Sequence, residues 1–120
     1  MARNYLLICK TCQVSLSMGK AYWLAEDGSP LDDVTFDGVF SMAERKWHKR
    51  DEFFGRVLEK FLILHRNHEL IFVPEGVDEY LEDYIGYIQD VDSKEILNEK
   101  VEPEVDWWEE LQMWRRKVGK

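Results

Sequence analysis

The chain holds two cysteines and three histidines, and four of these five residues form two pairs of identical spacing. Cys9 and Cys12 lie in LICKTCQV, and His65 and His68 lie in ILHRNHELIF. Thiolate sulfur and imidazole nitrogen are the donors that zinc takes into tetrahedral sites. Two donors with two residues between them can share one ion, because a tight turn aims both side chains inward. Cys9, Cys12, His65 and His68 are therefore candidate metal ligands. The expected ion is a structural Zn2+, although the same donors would also hold iron or cobalt.

Between Cys12 and His65 lie 52 residues, far more than in short zinc fingers, and H-x2-H is tighter than the usual H-x3–5-H. At the level of these eight residues the pattern resembles Cys2His2 zinc modules built from a knuckle and a helix end. Two other chemistries compete. A dithiol redox centre normally opens a helix, which lowers the thiol pKa, whereas QVSLS after Cys12 alternates like a strand. Two buried thiols and two ordinary hydrogen-bonding histidines are the plainer alternative. A catalytic ion is disfavoured, because such sites keep one position open for water. H-E-x-x-H, H-x-E…C-x-x-C, P-loop, G-x-G-x-x-G and G-x-S-x-G signatures are all missing from the sequence. No enzyme activity is expected.

The elements that must position these residues can be read from periodicity. Residues 5–9 form a short apolar run. Val14, Leu16 and Met18 alternate with Ser15 and Ser17, so the cysteines sit at the tip of a hairpin. A further strand from Lys20 stops at Asp27, Gly28, Ser29 and Pro30. Residues 31–42 read as a loop or short strand. From about Met42 to Leu64 the period becomes helical, with Phe54, Val57, Leu58, Phe61, Leu62 and His65 on one stripe. Asn67 suits a left-handed turn, and residues 69–73 form a strand ended by Pro74. Val77, Tyr80, Leu81, Tyr84, Ile85, Ile88 and Val91 match a helix better than a strand, despite Gly86. Residues 92–104 read as a connector. Asp106 and Glu109 then open a final helix carrying Trp107, Leu111, Trp114 and Val118.

These elements predict an α+β fold. A small antiparallel sheet, made of the amino-terminal hairpin and the central strand, packs on a central helix, and a carboxyl-terminal amphipathic helix follows. A single domain is expected over 1–120, with a zinc-stapled β/α core over 1–74 and an acidic, aromatic-rich helical extension over 75–120. No apolar run approaches a membrane span, and MARNYLLICK is too short in apolar residues for a secretory signal. A cytoplasmic location with reduced thiols is the expectation.

Charge suggests partners. The net charge is −8, and residues 69–110 hold fifteen acidic side chains against Lys94 and Lys100 alone. An acidic half of this kind repels nucleic acid and suits a basic protein surface. Asp78, Glu79, Glu82 and Asp83, with Tyr87 and Trp108 as aromatic anchors, are the candidate contacts of an inhibitor- or immunity-like module. The alternative partner is nucleic acid, gripped by Arg45, Lys46, Trp47, Lys49 and Arg50 in ERKWHKR. A solvated first turn of the central helix, with Trp47 folded back onto the core, explains that basic cluster better.

Overall fold

A computed structural model describes residues 2–24, 27–48, 52–101 and 107–119. Strand β1 (Ala2–Cys9) turns through residues 10–13 into β2 (Val14–Leu24), and β3 (Pro30–Phe36) follows. Two short strands, β4 (Phe40–Ser41) and β5 (Lys46–Trp47), precede helix α1 (Glu52–Leu64). Strand β6 (Leu70–Pro74) leads to α2 (Val77–Ile85), β7 (Gln89–Asp90), α3 (Ser93–Asn98) and α4 (Trp107–Val118). The main sheet runs β3-β2-β1-β6 with antiparallel pairings, and β7 adds to β2 in parallel. The fold is α+β, as the periodicities predicted.

The central strand shows why YLLIC reads as an unbroken apolar run. Successive side chains of a strand face opposite sides of the sheet, and both sides are covered here. Leu7 and Cys9 join Leu16, Met18, Val39, Phe54, Val57, Phe61 and Ile96 in the larger core cluster. Leu6 and Ile8 join Ile88 on the other face, packed by Ile71, Val73, Leu81 and Ile85. Helix α1 thus covers one face and α2 the other. Ile88 and Ile96, both from the acidic carboxyl half, belong to these cores.

The structure corrects several expectations. Residues 14–24 form one strand, not two, because Gly19 carries it through a bulge where Tyr5 pairs with Gly19 and Leu6 with Ser17. Gly19 has φ +86, and a Cβ there would lie 2.2 Å from the Gly38 carbonyl oxygen. Residues 31–42, read as a loop or short strand, contribute to β3 and β4. The central helix starts at Glu52, about ten residues after the expected point. Met42–Arg45 form a turn instead, with Arg45 at φ 54 and its N–H donating to the Ser41 carbonyl at 2.7 Å. Cross-strand packing of Phe40 on Trp47, with ring centroids 5.2 Å apart, holds this hairpin.

The expected connector at 92–104 contains α3. Asp92 caps it by accepting from the Lys94 N–H at 3.0 Å, and the same carboxylate accepts from the Ala43 N–H at 3.2 Å. The 77–91 segment divides at Gly86, whose φ of +92 ends α2 before β7. On α2 only the Leu81 and Ile85 side of the expected stripe packs inward. Tyr80 and Tyr84 are 74% and 86% exposed, so they are surface residues and not core. The expected cap Asp106 lies outside the described residues. Among the described residues, no helix is long and apolar enough to cross a membrane.

Candidate metal centre

Cys9 is the last residue of β1 and is fully buried, while Cys12 stands exposed in the turn that follows. The turn closes by the Gln13 N–H donating to the Cys9 carbonyl at 2.8 Å, with Gln13 in the left-handed region at φ 58. Within it, the Cys12 N–H points at the Cys9 Sγ at 3.4 Å. An amide aimed at sulfur in this way folds the two-residue spacer into a knuckle.

The histidines come from the end of α1. The His65 N–H still donates to the Phe61 carbonyl at 3.1 Å, which places its ring 4.3 Å from the Phe61 ring. The chain then reverses through Asn67, at φ 67, and the His68 N–H donates back to the His65 carbonyl at 3.1 Å. Asparagine tolerates this backbone better than most residues, so the sequence expectation of a left-handed turn holds at its residue. His68 follows one turn after His65, and their rings meet edge to face at 5.7 Å.

Sheet register brings the pairs together. Cys9 pairs with Leu70 in the β1–β6 ladder. Beyond that pair, the Lys10 N–H donates to the Glu69 carbonyl at 2.9 Å, and the Glu69 N–H donates to the Thr11 hydroxyl at 3.1 Å. An ion pair of Lys10 with Glu69 at 3.1 Å lies outside these bonds. The hairpin tip is therefore fastened to the residue after His68. Thr11 and Glu69 were not singled out by the sequence reading. A hydroxyl inside the C-x2-C spacer was the one available signal for Thr11.

The result is convergence. His68 Nδ1 lies 3.5 Å from Cys9 Sγ and 3.4 Å from Cys12 Sγ. Tetrahedral zinc with ordinary bond lengths has sulfur–nitrogen edges of roughly 3.5 Å. One donor atom from each of Cys9, Cys12, His65 and His68 lies within 4.8 Å of every other, close enough for the four to hold a metal ion. His65 Nδ1 is buried and has no hydrogen-bond partner. The donor set and the spacing thus fit a tetrahedral N2S2 ion.

Electrostatics differ between the histidine and cysteine sides of the cluster. Burial pushes the His65 pKa down, reinforced by His68 and opposed by Glu99, so the ring is neutral and keeps a lone pair. Burial also pushes the Cys12 thiol up, reinforced by Cys9. A cation supplies the charge that two neighbouring thiolates need.

The other candidate residues are dispersed. Arg45 and Lys46 are exposed on the β4–β5 hairpin and not in a helical turn, and Lys46 pairs with Glu44 at 3.4 Å. Trp47 packs against Phe40, while Lys49 and Arg50 lie outside the described residues. Of the acids on α2, Asp78 accepts from the Gly76 N–H at 2.9 Å and Glu82 from the Ile88 N–H at 3.1 Å, so both brace the backbone. Glu79 and Asp83 face solvent, Tyr87 is 75% exposed, and Trp108 is 59% exposed on α4. Comparison with protein-family models, curated proteins and solved structures finds no match to this chain.

Proposed function

We propose that this protein is a zinc-stapled binding module whose acidic, tyrosine-rich face receives a basic protein. The observation that carries the reading is the convergence of Cys9, Cys12, His65 and His68 from two elements more than fifty residues apart in sequence. Four protein donors fill a tetrahedral ion and leave no position for a reacting water, so the metal's role is structural. It fastens the β1–β2 hairpin to the end of α1 and the start of β6. The module acts by association, not by chemistry.

Support for the partner comes from α2 and the loop after it. Glu79, Tyr80, Asp83, Tyr84 and Tyr87 all face solvent in one short segment. Tyrosine anchors with carboxylate neighbours match lysine- and arginine-rich surfaces in shape and charge. An inhibitor- or immunity-like role follows if the partner's basic groove is its working site.

Two measurements test the reading. Elemental analysis of protein purified without chelator is expected to find about one zinc per chain, and the Cys12→Ser variant is expected to lose it and melt at lower temperature. Retention on an immobilised lysine-rich basic protein is expected to fall with salt and with the Glu79→Lys, Asp83→Lys pair. A metal-free wild-type protein with an unchanged melting point in Cys12→Ser overturns the staple. Retention indifferent to salt and to the charge reversal overturns the partner.

A further inference from the structure

A cleft of about 290 Å³ opens between the β4–β5 hairpin and the start of α2. Its lining joins Phe40, Met42 and Trp47 to the carboxylates of Glu75, Asp78 and Asp90. Met42 and Trp47 are 56% and 40% exposed, so the cleft offers apolar surface to a ligand. Each carboxylate is held in place by a neutral donor. Glu75 accepts from the Asn4 amide at 3.1 Å, Asp78 from the Gly76 N–H at 2.9 Å, and Asp90 from the Ser15 hydroxyl at 2.8 Å. None of the three has an ion-pair partner among the described residues, and no residue lining the cleft is basic.

Three carboxylates with no ion-pair partner among the described residues, in a cleft also lined by aromatic and thioether side chains, call for a cation with an apolar stem. A bare metal ion does not meet the need. Among the described residues, the only group of three or more donors close enough to share an ion is the Cys/His cluster. Nucleic acid does not meet it either, because these carboxylates repel phosphate.

We infer that the cleft is the socket for a lysine side chain of the basic partner. The stem lies along Met42 and Trp47, and the ammonium reaches Glu75, Asp78 and Asp90 with the indole face beside it. This deepens the proposed reading and rests on it: the α2 face supplies breadth, and the cleft supplies the specific anchor.

The test is a titration of the zinc-loaded protein with tetralysine, followed by amide and indole NMR shifts. Shifts are expected at Asn4, Val91 and the Trp47 indole. The isosteric pair Glu75→Gln with Asp90→Asn keeps both braces and is expected to weaken binding about tenfold. Met42→Lys, a change at an exposed position that places a competing ammonium at the cleft, is expected to weaken it similarly. The control pair Glu52→Gln with Glu59→Gln removes the same charge from exposed positions of α1, outside both the cleft and the α2 face, and is expected to have less than about a twofold effect. Equal loss from both pairs overturns the socket, because binding then follows net charge. Loss from the control pair alone also overturns it; the acidic-face reading is judged separately by retention of the Glu79→Lys, Asp83→Lys variant. Absence of any binding at low salt overturns both.

Discussion

Cys12 Sγ and His68 Nδ1 lie 3.4 Å apart across a sequence separation of 56 residues. Cys9 Sγ approaches the same nitrogen at 3.5 Å. One imidazole nitrogen cannot make two good hydrogen bonds to two thiols at once, whereas two tetrahedral edges meeting at one donor have this geometry. Cobalt(II) added to chelator-treated protein is therefore expected to give the intense thiolate-to-metal absorption of a tetrahedral thiolate site. Single Cys9→Ser and Cys12→Ser variants should each reduce that absorption, and zinc should displace it.

Asn67 sits between the two histidines at φ 67, and its amide donates to Glu110 of α4 at 3.2 Å. Backbone and side chain can be separated by substitution. Asn67→Gly keeps the turn and loses the tie to α4; Asn67→Ala loses both. The alanine variant is expected to be about 1 kcal/mol less stable than the glycine variant in urea denaturation. In both, amides of α4 should exchange with deuterium faster than in the parent.

Phe61 is fully buried beneath the sheet and carries the ring on which His65 rests. Phe61→Ala should cost about 3–5 kcal/mol by cavity formation alone. Because it also frees the His65 ring, metal affinity measured by chelator competition should fall in the same variant. Val57→Ala, buried on the same helix but one turn away, should lower stability and leave metal affinity close to the parent's.

Gly19→Ala places a methyl against the backbone of Gly38 at a positive φ. Backbone strain and overpacking together predict a loss of about 2–4 kcal/mol. Thermal unfolding checks the magnitude, and hydrogen exchange of β2 and β3 checks the location.

Glu44 joins the β4–β5 turn to α3 and to His48, accepting from Lys94 and lying 2.9 Å from His48 Nε2. Its carboxyl is held below the ordinary range first by the Lys94 hydrogen bond, with Lys46 adding to that against an opposing effect of burial. A carboxylate with a depressed folded-state pKa stabilises the fold above the ordinary carboxylate range. That contribution fades as pH falls through the depressed value. The parent should therefore lose stability more steeply than Glu44→Gln as pH drops from about 5 to about 3. Parallel stability curves for the two proteins would show that the contact contributes nothing.

Local patterns in the sequence were sufficient for the parts of this molecule whose causes are local. Equal two-residue spacings marked both ligand pairs, because a knuckle and a helix end each need only a few neighbouring residues. The alternation Val14–Met18 and the stripe Phe54–Phe61 marked a strand and a helix, since each records which side chains leave water. Asn67 marked its own turn. What the tertiary structure decided were matters of distance. Residues 42–47, which could have extended α1, instead belong to a hairpin, because Trp47 packs on Phe40 and Asp92 reaches across to Ala43. Tyr80 and Tyr84 share a helical period with Leu81 and Ile85, and only packing against β1 and β6 determines which pair is buried. The four candidate donors likewise meet because β1 and β6 pair in one register, with Cys9 opposite Leu70. Spacing along a chain specifies how a pair of ligands can point. Sheet register, set by burial on both faces of β1, specifies that the two pairs point at each other.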